Sequence, residues 1–285
     1  MSVQARHPSG RVAATLIAVA VVALAVVLML TGHGNVRMSA DGADTAPLWF
    51  FWVGPALGFA ASLFIAGPTT QSTTSLPQDY STRKVWHETA VLGVAAIAFA
   101  VLLPLPGRPP DDWWYLVLKL VLLLVIPVLV LRTDRRFFPR PTAPRRGGVR
   151  SLVGGAVAVV VTVAWLWLAP ASVGAERSAP SWSLDLLIMV GIGFLLNSVL
   201  EEVFYRFWLQ TRVERSLGAA LAIVGGAVLW SAWHVAIQGQ GDLWLDLLQV
   251  VARHFPMGIL LGWLWWRHRT PVWPLLLHTC LNLPA

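Results

Sequence analysis

Residues 184–209 read LDLLIMVGIGFLLNSVLEEVFYRFWL. The stretch is apolar on every face of a helix, so its surroundings must be apolar too, and at 1.5 Å per residue about 20 residues cross a hydrocarbon layer of roughly 30 Å. Two adjacent carboxylates, Glu201 and Glu202, sit inside it. Similar runs, separated by charged or Pro/Gly-rich breaks, predict spans near 12–31, 47–66, 89–105, 113–131, 151–169, 184–209, 217–238 and 244–266, with a short segment at 271–283 closing the chain. The expected fold class is an all-α polytopic membrane protein with about eight transmembrane helices and a short C-terminal helix.

Composition agrees. The 285 residues are 56% hydrophobic and 12% charged, against about 45–50% and about 25% in soluble domains. The formal charge of +7 does not point to nucleic acid, because seven of the 21 basic residues fall in the 132–150 loop and most others at span ends. Alternating loops place Arg6, Arg11, Arg83, Lys84, that loop, Arg206, Arg212, Arg215, Arg267 and Arg269 on one side, leaving Arg37, Arg108 and Arg177 on the other. The positive-inside rule then puts the N-terminus in the cytoplasm. The first run follows Arg6 and Arg11 as a secretory signal would, but it exceeds the roughly 7–15 residues of a signal core and reads as an uncleaved anchor. Nineteen arginines against two lysines suggest GC-rich coding and hence a bacterial plasma membrane.

No internal repeat is visible, and FFPRPTAPRRGG at 137–148 is the one linker-like stretch. It divides an N-terminal four-span region with its basic loop, 1–150, from a C-terminal region, 151–285. A single cysteine, Cys280, excludes an intrachain disulfide and a CxxC pair. Gly54 with Gly58 and Gly258 with Gly262 form GxxxG spacings that read as close helix packing, and Trp113, Trp114, Trp265 and Trp266 as interface markers.

A polar side chain inside a span costs several kcal/mol unless paired or hydrated. These residues concentrate after position 184: Asn197, Ser198, Glu201, Glu202 and Arg206 in the sixth run, Trp230, Ser231 and His234 in the seventh, His278 and Asn282 in the last. Asn197, Glu201 and Tyr205 share one helical stripe, while Ser198, Glu202 and Arg206 share its neighbour. Glu202 has Arg206 as its i, i+4 partner, whereas Glu201 has no local cation and is left free for chemistry. Lys119 reads as snorkelling from the outer end of the fourth span. Arg253 and His254 lie mid-span, with Glu202 or Asp246 as possible partners. With a cytoplasmic boundary near Leu209, Glu201 lies roughly 12 Å inside and His278 roughly 10 Å inside, at one depth with His234.

EEVFYR at 201–206 resembles the EExxxR motif, WSAWH at 230–234 resembles FxxxH with Trp230 in the aromatic place, and HTCLN at 278–282 resembles HxxxN. In this order they resemble the CPBP, or Abi, family of intramembrane proteases, which includes the type II CAAX prenyl endopeptidases. The likeness covers roughly 184–282. It implies an intramembrane endopeptidase cleaving a membrane-associated peptide or protein near the cytoplasmic face. Glu201 and His234 would activate water, His278 and Asn282 would stabilise the oxyanion, and Glu202 and Arg206 would support the site. Asn197, one turn from Glu201, could orient its carboxylate.

Metal-independent chemistry is the first reading, with no cofactor. The alternative is a divalent metal such as zinc held by Glu201, His234 and His278, a set that matches catalytic zinc ligands. Partners are then the bilayer and a membrane-anchored substrate. A competing function is a non-catalytic membrane immunity or scaffold protein that binds a peptide or protein. A transporter ranks lower, because no pair of broken helices recurs in matching halves.

Overall fold

The computed structural model describes residues 8–40, 42–66, 76, 81–105, 112–132, 148–173 and 183–283. Helices occupy all eight expected spans: α1 Pro8–Leu30, α2 Leu48–Ala66, α3 Thr82–Leu102, α4 Trp113–Leu131, α5 Gly148–Leu168, α6 Leu184–Leu217, α7 Ala219–Gln238 and α8 Leu243–His268. A short helix, α9, follows at Val272–Leu281. Each of the eight is long and apolar enough to cross a membrane. The protein is an all-α polytopic integral membrane protein. Its only sheet among the described residues is a hairpin of β1 Asn35–Arg37 and β2 Thr45–Pro47, between α1 and α2. Most of the 132–150 loop, including the linker-like stretch up to Gly147, lies outside the described residues.

Two boundaries differ from the expectation. α3 begins at Thr82 rather than near 89, and α6 continues past 209 to Leu217. Both extensions have the same cause. Glu88, 1% exposed, accepts from Arg212 Nε at 2.8 Å, so α3 and the end of α6 bury charge against each other. Arg269, in a left-handed conformation at φ 50° where α8 turns into α9, donates through Nη2 to both oxygens of Glu214 at 2.5 and 2.6 Å. Arg212 and Arg269 therefore act as buried ion-pair partners. Trp265 faces the protein interior: it is 1% exposed, stacks on Phe207 at 4.3 Å and donates to Thr211 Oγ1 at 3.2 Å.

α2 packs along α5 and α7 along α8. Lipid chains are as apolar as leucine, so van der Waals fit supplies much of the attraction and small residues mark the seams. A Cβ on Gly54 would meet the Trp165 ring at 2.8 Å, and one on Gly58 would overlap Thr162, both on α5. A Cβ on Gly258 would lie 2.9 Å from the Ala227 Cα of α7. Both GxxxG spacings thus serve packing within the chain. Gly258→Leu is expected to force α7 and α8 apart, at a cost of about 1–3 kcal/mol or more. A fall in the melting temperature of the detergent-solubilised protein would register it, and an unchanged value would contradict this seam.

α6 is not a uniform α-helix. Two segments, Phe194–Val199 and Val203–Gln210, adopt the wider π geometry with i→i+5 hydrogen bonds, and one α-helical stretch, Leu200–Glu202, lies between them. Such π segments are rare and collect at functional sites. Here they bracket the two carboxylates. Before them, Leu184–Gly193 has no buried residue, and after them the helix is largely buried.

Candidate active site

Glu201 and Glu202 are 1% and 0% exposed at the middle of the 34-residue α6. Their side chains diverge. Glu202 faces α9: its Oε1 lies 2.8 Å from His278 Nδ1, and its Oε2 accepts from Arg206 Nε at 3.3 Å. Glu201 faces α4 and α7: its Oε1 accepts from Lys119 Nζ at 2.6 Å and its Oε2 from Trp230 Nε1 at 2.8 Å. His278 Nε2 lies 4.0 Å from Glu201 Oε2, so His278 touches both carboxylates. The motif residues Glu201, Glu202, Arg206, Trp230 and His278 therefore meet in one buried cluster.

His234 joins through a break in α7. Its backbone N–H donates to Ser231 O at 3.2 Å, an i→i−3 bond, where regular α-helix would use Trp230 O. The freed Trp230 carbonyl lies 2.9 Å from His234 Nδ1. A carbonyl only accepts, so Nδ1 carries the hydrogen and Nε2 presents the basic lone pair of the neutral ring. The His234 ring lies between two others, stacked on Trp233 at 3.9 Å and on His254 at 4.1 Å. Trp230 meets His234, His254 and His278 edge-on at 4.9, 5.6 and 5.5 Å. Asn282 Nδ2 donates to Ser198 Oγ at 3.2 Å, which ties the last turn of the chain to α6.

Several expectations need correction. Glu201 is not without a cation: Lys119 is 0% exposed and does not snorkel. An ammonium on a span can reach the interface or find a buried anion, and a carboxylate at 2.6 Å prevails. Asn197 orients Glu201 only through that lysine, since its Oδ1 accepts from Lys119 Nζ at 2.7 Å and from Tyr115 OH at 3.0 Å. Lys119 also donates to Tyr115 OH. Trp230 does more than fill the aromatic place of its motif, because its indole N–H reaches Glu201. Tyr205 shares a stripe with Glu201 and lies in electrostatic range of it, but its ring packs edge-on against Phe204 at 4.9 Å and its hydroxyl has no hydrogen-bond partner among the described residues. Arg253 donates to Gln238 and to Met38 O, His254 bonds Gln238, and Asp246 accepts from the backbone of Gln240 and Gly241. The carboxylates suggested for Arg253 and His254 are thus engaged elsewhere.

A polar file leaves the cluster on the side of the 239–242 loop. It runs from His234 to the stacked His254, then to Gln238 and Arg253, which line a small cavity beneath the hairpin. That cavity shares Gln240, Asp246 and Gln249 with an open one of about 280 Å³ that is also lined by His33, Asn35 and Asp242. Gln249 Nε2 donates to His33 O at 2.8 Å and holds the hairpin over the start of α8.

The fold and the cluster define a polytopic integral membrane protein whose ionisable residues converge inside the helical bundle. Residues 182–284 match the family model described as type II CAAX prenyl endopeptidase Rce1-like. That segment, about a third of the chain, is similar to the CPBP family of CAAX-type intramembrane proteases, and the apolar helices set the chain's environment as a lipid bilayer. No curated protein and no solved structure matches the chain.

Proposed function

We propose that the protein is an intramembrane endopeptidase in which Glu201 and His234 activate a water for attack on a peptide carbonyl, while His278 and Asn282 stabilise the oxyanion. Its substrate is a membrane-anchored peptide or protein. The convergence of Glu201, Trp230 and His278 in one buried cluster carries this reading. Hydrolysis needs a base and preorganised donors in a site of low dielectric. His234 Nε2 offers the base, and Glu201 shares with it the indole of Trp230. His278 has its Nδ1 backed by Glu202, so a proton on Nε2 would be balanced by that carboxylate. Asn282 keeps one amide hydrogen beyond the one given to Ser198. Water reaches the site along the Gln238, Arg253 and His254 file. On the orientation read from the basic loops, with the N-terminus in the cytoplasm, cleavage is placed near the cytoplasmic face, with Glu201 midway along α6 and the polar file opening on the opposite side.

The same reading is metal-independent. A ligand set of Glu201, His234 and His278 would need the Glu201 carboxylate for the metal, and its Oε1 already carries an ammonium.

The test is comparative proteomics of membranes from cells expressing wild type or an inactive Glu201 variant at matched levels. New peptide termini near membrane anchors, present only with wild type, support proteolysis and name the substrate. Identical profiles with the biological effect retained would favour the immunity or scaffold role. Trp230→Phe gives a finer check, since it keeps a bulky ring and removes the N–H. Hydrogen bonds to charged groups contribute about 1.5–3 kcal/mol, so the abundance of the new termini should fall roughly 10- to 100-fold.

A further inference from the structure

Lys119 lies on α4, outside the 182–284 segment that matches the protease family. Nevertheless it enters the centre of the cluster that segment builds. Its side chain is fully buried and its ammonium has three partners: Glu201 Oε1 at 2.6 Å, Asn197 Oδ1 at 2.7 Å and the Tyr115 hydroxyl. An ammonium has three donors, so each hydrogen is used. The ring faces of Tyr115 and Trp233, at 4.7 and 5.0 Å from Nζ, close the pocket around it.

Lys119 is also the cation in direct contact with Glu201. Glu201 and Glu202 are neighbours in sequence, and Arg206 pairs with Glu202. Without Lys119, Glu201 would keep only the Trp230 indole and the more distant His278 ring among the described residues. A buried ion persists only with a partner, and otherwise the group neutralises.

We propose that Lys119 is the positioning residue of the site: the N-terminal spans supply the cation that grips Glu201 Oε1 and so fixes its Oε2 towards Trp230 and His278, so that the catalytic unit extends beyond the matched segment to α4. The inference rests on the protease reading for its functional half. The ion pair itself can be tested without activity.

The chain has two lysines, Lys84 and Lys119, so lysine-selective 15N labelling of the full-length protein in nanodiscs gives two side-chain resonances. Lys84 is partly exposed and its ammonium exchanges with water, whereas that of Lys119 is shielded. Lys119→Arg should delete the shielded resonance. Glu201→Gln should shift that resonance and leave Lys84 in place, and a water-soluble amine-reactive ester should modify Lys84 and spare Lys119. Either a shielded resonance indifferent to Glu201→Gln or equal modification of both lysines would overturn the proposal. In the membrane proteomics, Lys119→Met should reduce the wild-type-specific termini about 10²-fold, the scale of losing a general base, with partial rescue by Lys119→Arg. Full cleavage by a folded Lys119→Met variant would equally overturn the proposal. If wild type yields no new termini while the resonance follows Glu201, the protease reading fails and the ion pair stands.

Discussion

Glu201→Gln is expected to reduce cleavage by about 10²- to 10⁴-fold, the contribution of a positioned general base. Glutamine keeps the shape of the side chain but not the charge, and its amide donors would point at groups that are themselves donors, Lys119 Nζ or Trp230 Nε1. The single variant therefore has a second effect. It leaves a buried ammonium without its anion, and breaking a buried pair costs about 3–5 kcal/mol. Loss of activity and loss of fold would then be confounded. The double variant Lys119→Met with Glu201→Gln separates them, because it removes both charges and keeps the volume nearly constant. Its melting temperature should return towards that of wild type while cleavage stays absent. Wild-type levels of new termini from a folded double variant would remove Glu201 from the chemistry.

That two-sided effect was only half legible in the sequence. The eight spans followed from run length, since the bilayer sets the length of a helix directly. The Glu202–Arg206 pair followed from helical spacing within a single element. What periodicity could not supply was contact between distant elements. Lys119 lies 82 positions from Glu201, and nothing local distinguishes a lysine that snorkels from one that crosses to an anion. Its rarity inside a span was the available signal, and the existence of an unpartnered Glu201 was the other half of it. Glu88 is a second such case: a charge just before residue 89 reads as the start of the span, whereas Arg212 keeps it buried inside α3.

The π segments do not erase the α-helical stripes: Tyr205 still lies in electrostatic range of Glu201, and Arg206 still pairs with Glu202, although Val203–Gln210 is wound more widely. Upstream the relation survives: Asn197 and Glu201 meet the same lysine, and Ser198 and Glu202 both face α9. Trp230 shows a different limit. A motif with phenylalanine in that place describes packing alone, and only the structure reveals that the indole N–H reaches Glu201. The donor is peculiar to the side chain this sequence carries.

His234 provides the second large effect, and the choice of replacement decides what it means. His234→Ala would empty a slot between the Trp233 and His254 rings and also orphan the Trp230 carbonyl, which the break in α7 has freed from its usual helix partner. An unsatisfied buried acceptor costs about 1–3 kcal/mol, so a loss of activity would again be ambiguous. His234→Asn is the cleaner change, because its amide Nδ2 falls near the position of the imidazole Nδ1 and can still donate to Trp230 O. What it lacks is a basic nitrogen at the place of Nε2. The Asn variant should therefore keep a melting temperature close to wild type and lose cleavage by about 10²- to 10⁴-fold. Cleavage retained in His234→Asn but lost in His234→Ala would make the imidazole a strut for the helix break, and would leave Glu201 as the sole base.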